Sequence, residues 1–193
     1  MTTYVLHGGK SSIDTEKNRL FFQQFTSLVP KNSVHILLCY WPREKGEWQK
    51  KFKYDTAQIM KQTTKETQID MVSSPEDLFQ KIASADVLYF SGGEEENLRP
   101  YMSKLTGLKE LLEGKVYIGS SMGAFFPSKH YVLSLTRQNT DVVYDGLGYI
   151  PCNVLCHWNI EKEKERKMHL LKNRDSQSKI LCLDEEEFKI IKI

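Results

Sequence analysis

The sequence predicts an α/β fold, a doubly wound and mostly parallel sheet flanked by helices. Three observations predict it. Short apolar runs of strand length alternate with longer amphipathic stretches through most of the 193 residues. Three glycine-bearing loops, Gly8-Gly9, Gly92-Gly93 and Gly119 to Gly123, close apolar runs, and open parallel sheets carry their sites at the carboxyl ends of strands. The length suits one domain, 1–193, able to bury a proper core.

The elements follow in order. Thr3 to Leu6 reads as a first strand ending in His7-Gly8-Gly9. Asp14 to Leu28 repeats apolar residues at helical spacing, at Leu20, Phe21, Phe25 and Leu28. Ser33 to Trp41 is a second strand, its run from Ile36 to Trp41 being the longest clear apolar stretch. Trp48 to Lys61 reads as a helix and Gln68 to Val72 as a short strand. Ser74-Pro75-Glu76-Asp77 opens another helix: Ser74 caps it, Pro75 suits the first turn, and Asp77 stands three residues after the cap. Asp86 to Phe90 is a buried strand closed by Ser91-Gly92-Gly93. Asn97 to Leu112 is helical, Lys115 to Gly119 is a strand and Met122 to Ser128 a short helix. In the last third, Val142 to Leu155 suggests strands around Gly146 and Gly148, and Glu161 to Lys172 a helix. Ile180 to Leu183 and Phe188 to Ile193 suggest a terminal hairpin around Asp184 to Glu187.

Bulk properties narrow the function. Hydrophobic residues make up 40%, charged residues 27%, and the net charge is only +2. No Lys/Arg block stands out, so no nucleic-acid partner is expected. The run Glu161 to Lys167 alternates in sign and reads as a solvated helix face. No stretch approaches the ~18 apolar residues of a membrane span, and the amino terminus lacks the basic opening of a signal peptide. A cytoplasmic location is therefore expected, with Cys39, Cys152, Cys156 and Cys182 reduced. Cys152, Cys156, His157 and His169 bring metal-ligating types together, but without a CxxC or a second pair. Buried thiols are the better reading, and no metal or cofactor is expected. A homodimer is left open.

The chemistry concentrates at Gly119-Ser120-Ser121-Met122-Gly123. In a G-x-S-x-G elbow a strand turns sharply into a helix, exposing the serine oxygen, and the glycines let neighbouring chains approach. Here Val116 to Ile118 precedes the motif and Ala124-Phe125-Phe126 follows it, so Ser121 is the candidate nucleophile. A hydroxyl needs a base to attack at neutral pH. Of the five histidines, His157 stands after the apolar Val154-Leu155-Cys156 and His7 ends the first strand. Position favours His157 over His7. An oxyanion hole needs backbone N–H groups, with Met122 a candidate donor and Gly92 or Gly93 another.

These residues resemble a known family. Phe90-Ser91-Gly92-Gly93 with Asn97-Leu98, the elbow through Ala124, and Tyr144 to Pro151 leading to His157-Trp158 are similar to motifs of dipeptidase E (aspartyl dipeptidase) and cyanophycinase-like serine peptidases. They stand in the same order, with 36 positions from Ser121 to His157. The resemblance implies a fold like that of class I glutamine amidotransferases. It implies hydrolysis of short peptides through an acyl-enzyme, Ser121 attacking, His157 as base, and Gly93 and Met122 holding the oxyanion. Two positions depart from the family: Glu94 replaces an Asn after the glycines, and Met122 replaces an Ala, both where substrate should bind. The family's basic residues after the His are replaced by Glu161 to Lys167, so a preference for N-terminal Asp is not carried over. The best candidate third member is Asp141, with Asp145 less favoured. A Ser-His dyad, or an acid from Asp184 to Glu187, stays open. The other readings are a non-peptidase acyl hydrolase or amidase, and an inactive binding module.

Overall fold

The computed structural model describes residues 1–134 and 141–193. Strands and helices alternate as β1 (Thr3–His7), α1 (Glu16–Ser27), β2 (Ser33–Cys39), α2 (Trp48–Lys61), β3 (Glu66–Val72), α3 (Pro75–Lys81), β4 (Val87–Phe90), α4 (Glu95–Met102), α5 (Leu108–Leu111), β5 (Val116–Ser120) and α6 (Met122–Phe125). The remainder runs β6 (His130–Val132), β7 (Val143–Asp145), β8 (Cys152–Leu155), α7 (Lys164–Arg174), β9 (Lys179–Cys182) and β10 (Phe188–Lys192).

The fold is α/β. The larger sheet has the order β10-β1-β5-β4-β2-β3. Its inner pairs are parallel, and only β10 runs antiparallel, against β1. Register sets the site. His7 lies opposite Ser120, and Gly119 opposite Phe90. The loops after β1, β4 and β5 therefore emerge side by side at one sheet edge. Aromatic layers cover both faces. Phe25 of α1 lies 5.2 Å from Tyr89 on one, and Phe90 stacks on Phe126 at 4.6 Å on the other. These side chains are fully or almost fully buried. Close-packed interiors resist small displacements, so the strand ends are firm supports.

Local signals explain the helix starts. The Thr15 hydroxyl accepts from the Asn18 N–H at 3.2 Å, and Ser74 does the same for Asp77 at 3.2 Å. The expected helix from Asn97 to Leu112 is instead two, broken between Met102 and Leu108, with Gly107 at φ +85° capping the second. Leu20, expected on the buried face of α1, is exposed.

Two other expectations need correcting. The last two strands do not form a hairpin. β9 pairs in parallel with β8 in a second sheet of order β7-β6-β8-β9, whereas β10 pairs with β1 in the first. Leu183 to Glu187 therefore crosses between sheets. Period-two patterning identifies strands but not their partners. The alternating charges of Glu161 to Lys167 are likewise not a solvated face throughout. Lys167 is buried, and its ammonium donates to the Glu161 carboxylate and to the Leu133 carbonyl. Replacing Lys167 by Met strands a buried carboxylate and is expected to cost about 3–5 kcal/mol of unfolding free energy. Glu161→Leu combined with Lys167→Met should recover most of that in urea titrations. A single substitution costing under about 1 kcal/mol would contradict this pairing.

Candidate active site

Ser121 is the single residue between the end of β5 and the start of α6. Its backbone sits at φ 50°, ψ −108°. A positive φ is costly for a residue with a Cβ. Hydrogen bonds on both sides hold the turn. The Ser121 N–H donates to the His7 carbonyl at 2.9 Å, and the Ser121 carbonyl accepts from Ala124 at 2.8 Å and Phe125 at 3.1 Å. The Cys156 thiol lies 3.7 Å from the same carbonyl. Glycine is required on either side. A Cβ on Gly119 would stand 2.1 Å from the Gly123 carbonyl oxygen, and one on Gly123 would stand 2.0 Å from that of Phe90.

His157 follows β8, also at positive φ (56°), with its N–H donating to the Gly8 carbonyl at 3.1 Å. Its Nε2 lies 3.0 Å from the Ser121 Oγ, and its Nδ1 lies 2.9 Å from the Glu185 Oε1. With Nδ1 facing a carboxylate, the ring carries its proton there, leaving Nε2 to accept from the serine hydroxyl. The ring rests against Gly9, where a Cβ would stand 2.2 Å from the His157 Cε1.

Glu185 is buried in the crossing from β9 to β10. Its backbone N–H donates to the Asn159 Oδ1 at 2.9 Å, and its second carboxylate oxygen meets the Lys10 ammonium at 2.7 Å. Burial raises the carboxyl pKa. Hydrogen bonds from Lys10 and His157, and the charges of both, outweigh burial and hold it below the ordinary carboxylate value. Asp141, the sequence candidate for this place, is exposed and pairs with Arg166. Its place in the chain between Ser121 and His157 recommends it, but the carboxylate that meets His157 comes instead from beyond both. Asp145 pairs with His130 and Arg174. Among the described residues, the non-glycine positions at positive φ are Lys10, Ser121, His157 and Glu186. All four belong to this constellation or adjoin it, as strained residues at functional sites do.

The remaining sequence candidates divide. Gly93 and Met122 line the same cleft as Ser121 and His157, a cavity of about 300 Å³. Met122 opens α6, where a helix leaves its first N–H groups without partners. Gly92 abuts the nucleophile, a Cβ there standing 3.2 Å from the Ser121 Cβ. Glu94, expected beside substrate, is exposed one residue before α4, its N–H bonded to the Pro42 carbonyl at 2.6 Å, and it lies outside the cleft lining. Cys152 and Cys156 are buried free thiols, and His169 hydrogen-bonds Asn173 on α7. Among the described residues, no group of three or more His, Cys, Asp or Glu is placed to hold a metal ion, and no helix is long and apolar enough to cross a membrane.

His7 has a different task. The Asn18 amide nitrogen donates to the Lys10 and Ile13 carbonyls, which leaves Asn18 Oδ1 to accept from the His7 Nε2–H at 2.9 Å. The His7 Nδ1 then accepts from the Gly9 N–H at 3.1 Å. The ring is neutral and pins the loop after β1.

The family profile described as peptidase family S51 matches residues 5–192. Among solved structures, a peptidase from an acI-B1 Actinobacterium is similar at 16% identity with a TM-score of 0.68, over 100% of this chain and 84% of that one. A putative peptidase E protein from Listeria monocytogenes EGD-e is similar at 16% identity with a TM-score of 0.63, over 100% and 99% of the two chains. No curated protein matches.

Burial, then the charges of His157 and Lys51, push the His7 pKa down to about 4 against a gain from Asn18. Its folded-state pKa is therefore depressed below the unfolded value of ~6.5. Above that value neither state binds the proton. Below it only the unfolded chain does, so stability falls as pH drops from 6.5 towards 4. His7 should contribute a loss of about 2–3 kcal/mol between pH 7.5 and 4.5. In urea titrations at the two pH values, His7→Gln should lack that increment. An unchanged pH dependence would refute the neutral, buried assignment.

Proposed function

The chain belongs to peptidase family S51 and is a serine peptidase, and on that premise we propose that Ser121, His157 and Glu185 are its catalytic triad, acting on short peptides. The observation that carries this reading is the continuous relay: 3.0 Å from the Ser121 Oγ to His157, then 2.9 Å to Glu185. Both lie within the range for proton transfer and orientation.

The chemistry follows from the donors and acceptors. The Ser121 Oγ attacks the scissile carbonyl carbon while its proton passes to the His157 Nε2. The carbonyl oxygen gains negative charge facing the Met122 and Gly93 N–H groups. The imidazolium is stabilised by Glu185, which keeps its own charge. His157 then protonates the departing amine, the C–N bond breaks, and the acyl group stays on Ser121. Water repeats the sequence: His157 takes its proton, the hydroxyl adds to the ester, and Ser121 leaves with the proton returned. The 300 Å³ cleft supports a small peptide as the substrate. Four free thiols support a reducing cytoplasmic setting.

A fluorophosphonate probe should label the wild type, and Ser121→Ala should abolish both labelling and peptide hydrolysis. Glu185→Gln should lower kcat/KM by about 10³ to 10⁴-fold, and His157→Ala at least as much. Asp141→Asn should stay within about twofold of wild type. A large loss in Asp141→Asn with Glu185→Gln unaffected would reverse the assignment of the acid. Labelling without cleavage of any peptide would favour another acyl substrate.

A further inference from the structure

We propose that the cleft beside Ser121 accepts a large apolar side chain, such as Leu, Met or Phe, on the residue whose carbonyl is attacked. This rests on Ser121 being the nucleophile. Met122, Phe125, Leu133 and Ile160 line the cleft together with Ser121 and His157. Met122 and Phe125 come from the helix that the nucleophile opens, so their placement is coupled to that of the reacting oxygen.

The apolar wall is rigidly supported. Phe125 stacks on Tyr131 at 4.8 Å and 10°, and Tyr131 stacks on Tyr144 at 5.4 Å and 14°. Leu133 and Ile160 come from chain segments far apart in sequence, and one buried cation links them. Lys167 donates to the Leu133 carbonyl and to the carboxylate of Glu161, the residue after Ile160. The unusual buried ion pair therefore ties the two apolar lips together.

The charges in the lining point the same way. Among the described residues the charged side chains lining the cleft are Lys10 and Glu185, besides the titratable His157, and these two face each other at 2.7 Å. Ser134 adds one hydroxyl-bearing side chain. Among the described residues, an acidic or basic substrate side chain would find no free counter-charge to offset its lost water, which is strongly unfavourable. An aliphatic or aromatic one displaces water from apolar walls and gains close contacts.

The test is digestion of a mixed peptide library by the intact protein, with cleavage sites read by mass spectrometry and a fluorophosphonate label monitored in parallel. Sites with Leu, Met or Phe on the acyl side should be cut at least about 50-fold faster than those with Ala, Asp or Lys, in line with the discrimination expected from missing methylenes. Ile160→Asp alters an exposed position, and Leu133→Asp serves as a second variant. Each should lower the Leu-to-Lys preference at least tenfold. A flat profile, a preference for Asp or Lys, or labelling with no peptide cleaved overturns the apolar assignment. Absence of labelling overturns the Ser121 reading, and this one with it.

Discussion

The site depends on the crossing of five residues, Leu183 to Glu187, between the two sheets. It is fastened at each step. The Leu183 N–H donates to the Leu155 carbonyl at 2.8 Å, and the Leu183 carbonyl accepts from Trp158 at 3.0 Å. The Glu186 N–H donates to Gly9 at 2.9 Å, and the Glu187 carbonyl accepts from Gly8 at 2.9 Å. The crossing thus binds the loop after β8, which carries His157, to the loop after β1, which carries Lys10. Glu185 stands between them. Its reach to the imidazole follows from the pairing of β9 with one sheet and β10 with the other.

That fastening also explains how the strained backbone persists. Non-glycine residues at positive φ cost on the order of 1 kcal/mol or more each, and they survive only where surrounding bonds over-determine them. The Ser121 backbone is held by three hydrogen bonds and one thiol contact, and His157 by Gly8 and by both ring nitrogens. Beneath them lies the parallel sheet, whose register puts His7 opposite Ser120 and Phe90 opposite Gly119. Catalytic geometry tolerates errors of only about 0.5 Å. A closely packed aromatic core under the strand ends is a physical way of meeting that limit.

The legible features are those encoded locally. Strand and helix periods, the Ser74 cap and the glycine elbow each depend on residues a few positions apart, and apart from the helix broken between Met102 and Leu108 and the exposed Leu20 they appear where the pattern places them. The choice of His157 over His7 was legible only as a position. What separates the two is Asn18, whose amide occupies the His7 ring from another element. The acid was the least legible. Glu185 lies in the acidic run Asp184 to Glu187, which the sequence offered only as an alternative, at the turn of an expected hairpin. Asp141 had the right type and chain order, yet it pairs with Arg166 instead. Lys167 shows the same gap: alternating charges suggest solvent, and only tertiary packing turns one of them inward.

Lys10 joins the catalytic and recognition arguments. A buried carboxylate is costly to keep ionised unless cations and donors surround it. Here the Lys10 ammonium takes one oxygen of Glu185 and the His157 N–H takes the other, so the carboxylate stays charged and the imidazole keeps one tautomer. The ammonium that satisfies Glu185 also lines the substrate cleft. Being engaged at 2.7 Å, it is not free to attract an anionic side chain, while Met122 and Phe125 on the nucleophile's own helix supply apolar surface. One ion pair therefore holds the proposed base in one tautomer and leaves hydrophobic contact as the main attraction the described cleft offers to the proposed substrate.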